Sequence, residues 1–375
     1  MKQENPFLIT GYQSPEFFCD RKKEIELLKS YAQDSMHTAL FSSRRLGKTA
    51  LIYHLMYHLR KEKIKCMYFD LMPTTSIEDF AYHFAKSFFN QRASISQKYL
   101  HKINQMLKAF VPSLAVDPAT GQLSFEFKLN KAEEIYNDIE VIFDIIKKSK
   151  EKYLIALDEF QQILNYPAQN FEGFLRTHIQ FMKNASFIFS GSKKHLLLSI
   201  FGDYSKPLWQ SCAFIELKPI DKIIYSDFIQ NKFKIFGRTI ENPALDFIYD
   251  STRGITYFVQ LFCNFLFKET NGKINLETSK KTLDKIVTER ESYFINLLEL
   301  LTQKQIDVLT AISIENGIDK PLGNKFISKH KLGAASTVKS VLDVLVNKEI
   351  INHDNGKYHV ADVLLSVWLK GRKGY

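Results

Sequence analysis

The stretch "LFSSRRLGKTALIYHL", residues 40–55, decides how the rest of the chain is read. An apolar pair, Leu40-Phe41, runs into the polar loop Ser42-Ser43-Arg44-Arg45-Leu46. Gly47-Lys48-Thr49 then opens a segment in which Leu51, Leu55 and Leu59 recur four apart, the spacing of one helix face. Strand, loop and helix in that order are the context of a phosphate loop. Such loops turn successive backbone N–H groups inward and aim the positive end of the next helix at an anion. The usual spacing is G-x-x-x-x-G-K-[ST]. Here Ser42 stands at the first glycine position. Glycine there allows a positive φ, and serine is accommodated where φ stays negative. On this reading Gly47 lets the backbone approach a phosphate, Lys48 reaches the outer phosphates and Thr49 ligates magnesium. The loop from Ser42 through Ala50 is the candidate ATP-binding segment. The competing reading is a structural turn with a chance G-K-T.

A second element supports the first. In "KYLIALDEFQQIL", residues 152–164, an apolar run delivers Asp158 and Glu159 at its end. Asp158 is expected to hold Mg²⁺ and Glu159 to polarise the attacking water. A third run, "NASFIFSGSKKHLLLSIF", residues 184–201, ends in Ser190, Gly191 and Ser192. Ser190 and Ser192 are candidates to position water and sense the phosphate; a plain polar turn is the alternative. Lys193 and Lys194 are read as facing solvent.

Around these runs, strands alternate with helices from about residue 38 to 218, the mark of a mostly parallel sheet covered on both faces. A helix is expected over 20–34, with Ile25, Leu27, Leu28 and Tyr31 on one face. Ser76 with Asp79 looks like a capping box. Turn residues "DPATGQ", 117–122, between two strand-like runs predict a hairpin insertion near 110–130. Residues 220–300 show helical periodicity and no convincing strand. Beyond 301, helices near 302–315, 322–330 and 336–348 precede a hairpin at Asp354-Asn355-Gly356, the winged-helix pattern. The expected partition is a P-loop core at 1–219, a helical lid at 220–300 and a winged helix at 301–375.

Composition bounds the function classes. The 375 residues are 45% hydrophobic and 25% charged, as in ordinary globular domains. The longest apolar runs are too short to cross a bilayer, and the N-terminus lacks an apolar core of signal-peptide type. A cytoplasmic protein without membrane partners is expected. Cys19, Cys66, Cys212 and Cys263 are scattered and form no C-x-x-C pair, and the ten histidines show no metal spacing. His178 and His195 are read as packing or surface residues. The net charge of +10 favours polyanionic partners. Residues 301–375 carry eleven Lys/Arg against seven Asp/Glu. Ser336, Thr337 and Lys339 begin the candidate recognition helix for double-stranded DNA. Protein docking is the alternative role for such a module, and a homo-oligomer or protein partner is the other partner class.

Taken in order, "FFCDRKKEI", "SSRRLGKTAL", "YLIALDEFQQIL", "FLRTHIQFMKNASFIFSGSKKHLL", "SKPLWQSCAFIEL", "TRGITYFVQLF" and "YHVADVLLSVWL" resemble the archaeal-type ATPases, a branch of the AAA+ and signal-transduction P-loop ATPases. The resemblance implies an α/β P-loop core of AAA+ type, a helical lid and a C-terminal winged helix. It implies an ATPase using ATP and Mg²⁺ as a nucleotide-dependent switch. A regulatory module with little turnover is the alternative. It also places Arg21 and Glu24 in an N-terminal box near the base. That box usually reads Gly-Arg; here the glycine is replaced by Asp20. An arginine often precedes the last core strand, where this chain has Gln210 and Ser211, leaving Arg176 as a substitute or a surface residue. In the lid, Thr256 stands at a proline position, and Gly254 precedes it.

Overall fold

The structure is a computed structural model and describes residues 5–90, 107–116, 123–167, 170–354 and 356–372. They form two compact units: Tyr12–Ser43 with Gly47–Lys218, and Met1–Gly11 with Arg44–Leu46 and Pro219–Tyr375.

The first unit is built on alternation. In chain order it runs α1 (Lys22–Gln33), β1 (Thr38–Phe41), α2 (Lys48–Lys61), β2 (Lys65–Asp70) and α3 (Ile77–Asn90). A hairpin of β3 (Phe110–Val116) and β4 (Leu123–Leu129) follows, then α4 (Ile135–Lys148) and β5 (Tyr153–Asp158). It closes with α5 (Phe171–Ile179), β6 (Ala185–Gly191), α6 (Lys194–Phe201) and β7 (Ala213–Glu216). Five strands make one parallel sheet in the order β2-β5-β6-β1-β7.

Because side chains alternate along a strand, each strand feeds two cores. Ala39, Phe41, Met67, Phe69, Ile155, Leu157, Phe187 and Phe189 point into a phenylalanine-rich core with α3, α4, α5 and α6. Leu40, Cys66, Leu154, Ala156 and Ile188 are buried by the same alternation on the opposite face. Leu51, Leu55 and Leu59 of α2 are fully buried, as their spacing predicts. In α1 the buried set is Ile25, Leu28 and Ala32, whereas Leu27 is exposed. The buried stripe of α1 is narrow, and Leu27, about 100° round the helix from Leu28, falls outside it, so it does not join the expected face. Ser76 caps α3 by accepting from Asp79 N at 3.3 Å, while the Asp79 carboxylate accepts from Thr75 N at 2.7 Å. The expected hairpin is present as antiparallel β3–β4; its turn, 117–122, lies outside the described residues.

The second unit is mainly helical. It contains α7 (Lys222–Ile235), α8 (Asn242–Thr252), α9 (Thr256–Glu269), α10 (Leu276–Glu289) and α11 (Glu291–Glu299). Two short strands join them, β8 (Thr239–Ile240) and β9 (Lys273–Ile274), paired in parallel. Two residues are too few to show alternation, so no strand is legible there in the sequence. Then come α12 (Gln303–Ile314), α13 (Asn324–His330), α14 (Ala335–Asn347), β10 (Ile351–Asp354), β11 (Lys357–Val360) and α15 (Val363–Arg372). Three helices and an antiparallel β10–β11 hairpin are the expected winged-helix arrangement. Gly356 in its turn has φ +76°, which favours glycine. Among the described residues no helix is long and apolar enough to cross a membrane.

Candidate nucleotide site

Strand order places the site. β6 lies between β1 and β5, with Leu40 opposite Ser190 and Leu157 opposite Phe189. The carboxyl ends of three parallel strands therefore open side by side, where ligands of such sheets collect. β1 ends at the loop, β5 ends at Asp158, and β6 ends at Ser190-Gly191.

Asp158 is the hub. It is buried, and its Oδ2 accepts from the Thr49 hydroxyl at 2.7 Å and from the Tyr68 hydroxyl at 3.0 Å. Its Oδ1 accepts from the Ser190 hydroxyl at 2.5 Å and from Glu159 N at 3.1 Å. Glu159 is held by its other neighbours. Its Oε2 accepts from Gln161 Nε2 at 2.5 Å, from the Ser192 hydroxyl at 2.9 Å and from Ser192 N at 3.3 Å. Glu159 sits in the left-handed region, φ +51°, a conformation costing about 1 kcal/mol or more outside glycine. Lys48 opens α2 with a buried side chain, its Nζ 3.4 Å from both Ser42 O and Ser42 Oγ. The sequence candidates Ser42, Lys48, Thr49, Asp158, Glu159, Ser190 and Ser192 are thus brought into one neighbourhood.

The loop departs from its usual glycine without strain at residue 42. Ser42 is absent from the positive-φ positions, and its hydroxyl donates to Ser43 O at 2.8 Å. Left-handed residues in the loop are instead Arg45, φ +70°, and Gly47, φ +91°. The segment Arg44–Leu46 packs with the second unit. There Arg44 pairs with Glu349, and Arg45 pairs with Asp362 at 2.8 Å and lies 5.0 Å from the ring centres of Tyr257 and Phe258. Tyr257 N and the Thr256 hydroxyl donate to the Arg45 and Leu46 carbonyls at 3.1 and 3.2 Å. Both loop arginines are therefore engaged by side chains of the second unit. Ala50 continues α2.

Arg21 is buried and donates to Lys218 O at 2.6 Å and to Glu24 at 3.1 Å, which fastens the start of α1 to the segment after β7. Asp20, where the resemblance leads one to expect glycine, has φ +53°. The position asks for a left-handed backbone, and aspartate is among the side chains that tolerate it. Gln210 likewise has φ +53°. Arg176 donates to Pro207 O from an exposed position. Lys194 pairs with Glu216 at 2.9 Å, and His178 stacks on Phe143, as expected for surface and packing residues.

Two site residues escape the sequence reading. Tyr68, on β2, donates to Asp158; its hydroxyl is pushed far up, first by burial and then by the Asp158 charge. Its signal was available, since Tyr68 shares a strand face with Asp70, which is paired in register with Asp158. Asp70 is raised by burial, with Asp158 and Glu159 adding repulsion. Gln161 is buried, and nothing in "DEFQQ" sets it apart from Gln162 before the fold is known. A Cβ added at Gly191 would overlap Gln161 Oε1, so the backbone of β6 fixes this amide against Glu159.

The donor set suits a nucleotide with its cation. Hydroxyl and carboxylate oxygens at Thr49 and Asp158 are hard ligands of the kind Mg²⁺ takes. The two oxygens stand 2.7 Å apart, one on the first turn of α2 and one at the end of β5.

Comparison with known proteins bears on the family and the fold. Residues 18–262 match the family described as "ATPase domain predominantly from Archaea", and residues 292–371 match a probable winged helix domain. No curated protein matches the sequence. Among solved structures, the Walker-type ATPase of Pyrococcus abyssi has TM-score 0.66 at 16% identity, over 97% of this chain and 99% of that one. The ORC2 protein of Aeropyrum pernix, solved as ADPNP–ADP complexes, has TM-score 0.58 at 12% identity, over 100% of this chain and 99% of that one. At such identities the likeness shows the fold. The family match spans most of the chain, and the chain belongs to the family of ATPase domains found predominantly in archaea, with a probable winged helix domain at its C-terminal side.

Proposed function

We propose that the protein binds ATP with Mg²⁺ at this site, hydrolyses it slowly, and uses the cycle as a conformational switch. The observation that carries the reading is the Thr49–Asp158–Ser190 and Glu159–Ser192 network at three adjacent strand ends. Lys48 neutralises the outer phosphates, and the loop N–H groups hold them. Thr49 and Asp158 hold Mg²⁺, which when bound offsets the charge on the phosphate oxygens. Glu159 is anchored through Oε2, so Oε1 is the oxygen that accepts a proton from the attacking water. Ser190 keeps Asp158 in its rotamer. Ser42 replaces a glycine without a positive φ, which supports a working loop.

The switch rests on Arg44–Leu46. This piece of the phosphate loop packs with lid and winged-helix residues, so a nucleotide that reorders the loop changes what Glu349, Asp362 and Tyr257 hold. A specific observation favours low turnover at rest: three donors occupy the Glu159 carboxylate. Double-stranded DNA is the proposed partner of the winged helix, where Ser336, Thr337 and Lys339 are exposed on the first turns of α14.

ATP affinity and phosphate release, measured for wild type and Lys48→Ala with and without duplex DNA, test this function. Lys48→Ala is expected to weaken ATP binding at least ~10-fold, the loss of about 1.4 kcal/mol. DNA is expected to change turnover in a manner that fades with salt. Unchanged ATP affinity in Lys48→Ala sinks the nucleotide assignment; turnover indifferent to DNA at low salt sinks the partner.

A further inference from the structure

A cavity lies wholly within the second unit and is lined by none of the phosphate-loop residues. Its volume is about 250 Å³. The end of α8 contributes Ser251 and Arg253, the turn after α12 contributes Asn316, and α15 contributes Ser366 and Lys370. Most of the remaining wall is apolar, with Phe247 and Leu283 facing valines of α15.

The two cations are what this cavity's architecture leaves unexplained. Arg253 donates to Val360 O, and Lys370 donates to Asn316 Oδ1, both neutral acceptors. Among the described residues no carboxylate lies within ion-pair distance of either. Two of the neighbouring acids are held by other cations, while Asp354 acts on Arg253 only at a distance longer than an ion pair. Asp250, also in the wall, pairs with Lys222 at 3.0 Å. Asp362 pairs with Arg45 and accepts from Leu364 N and Leu365 N at the start of α15. His359, whose ring packs against Gly317 in the same wall, keeps a buried Nδ1 without a partner. Burial lowers Arg253 to about 10, with Asp362 and Asp354 opposing, and it lowers Lys370, with Arg253 adding to the effect. Two like charges removed from water beside each other are unfavourable unless a counter-charge joins them.

We infer that this cavity binds a small organic anion, with a carboxylate or phosphate head between Arg253 and Lys370 and a compact apolar body against Phe247 and Leu283. The hydroxyls of Ser251 and Ser366 and the Asn316 amide supply orienting polar groups. A mainly apolar wall with a few convergent polar groups is the usual form of a small-molecule site.

The test uses the full chain carrying Lys48→Ala, which silences the phosphate loop as a competing anion site. Benzoate and inorganic phosphate are titrated separately by calorimetry at constant ionic strength. Saturable binding of benzoate is expected, weakened about 10-fold or more by Lys370→Met and by the gentler Arg253→Lys, with the thermal midpoint of each free variant near that of the parent. Phosphate binding alone with the same sensitivity supports an anion site without the apolar subsite. Absence of saturable binding for both probes up to about 10 mM overturns the inference. So does binding that neither variant changes.

Discussion

The Thr49 hydroxyl donates to the Asp158 carboxylate at 2.7 Å, joining the first turn of α2 to the end of β5 across 109 positions. On the proposed function these two oxygens hold the cation. Thr49→Ala removes a ligand and leaves one Asp158 oxygen with only Tyr68 as its donor. Phosphate release is expected to fall at least ~10-fold at limiting magnesium and to recover partly as magnesium is raised. Thr49→Ser keeps the hydroxyl and is expected to stay close to wild type. A magnesium titration of both variants checks this, and equal curves for the two contradict it.

Gly191→Ala probes the anchoring of Glu159. The added Cβ overlaps Gln161 Oε1, so the amide moves and its 2.5 Å bond to Glu159 is lost. Turnover is expected to change several-fold while ATP affinity stays within ~2-fold, because no phosphate contact is touched. Gln161→Leu is expected to act in the same direction. Steady-state kinetics alongside a nucleotide-binding titration separates the two quantities.

Asp138 separates stability from chemistry. Its buried carboxylate accepts from Lys108 N, Ala109 N and Phe110 N at 2.7, 3.0 and 2.9 Å, fixing the entry into β3. Asp138→Ala strands three backbone donors, each costing about 1–3 kcal/mol when unsatisfied. A loss on the order of 3 kcal/mol is expected in urea unfolding of the first unit, with ATP affinity of the folded protein unchanged.

A pH dependence follows from His54. Its ring stacks on Phe18, accepts or donates at Tyr12, and is lowered from 6.5 to about 4, first by burial and then by His58. Above pH 6.5 both folded and unfolded states are neutral and its contribution is fully present. As pH falls from 6.5 towards 4 the unfolded chain takes up a proton that the folded chain refuses, and stability declines. Below about 4 both states are protonated and the decline from this group stops. Urea midpoints across that window are expected to drop less in His54→Gln than in wild type.

Much of this was legible before the fold. Leu51, Leu55 and Leu59 announce α2 by spacing alone, and each buried strand ends on its polar signal: Ser42, Asp158 or Ser190. Those signals are local, and the sheet order then brings them together. What the sequence hides depends on contacts between distant segments. Gln161 is indistinguishable from Gln162 until β6 passes beside it. Arg44 and Arg45 read as part of the ATP-binding loop, yet their partners Glu349 and Asp362 lie some 300 residues on. Ser42 is the instructive case: the missing glycine suggests a compromised turn, but the left-handed backbone falls at Arg45 and Gly47 instead.

The most direct test of the account is a paired measurement on Glu159→Gln: the dissociation constant for ATP with Mg²⁺, and the single-turnover rate of phosphate release. If Glu159 polarises the attacking water, ATP binds as in wild type and release falls by about 10²-fold or more, the range removed with a general base. Release at the wild-type rate, with ATP bound equally well, would contradict the proposed role of this site.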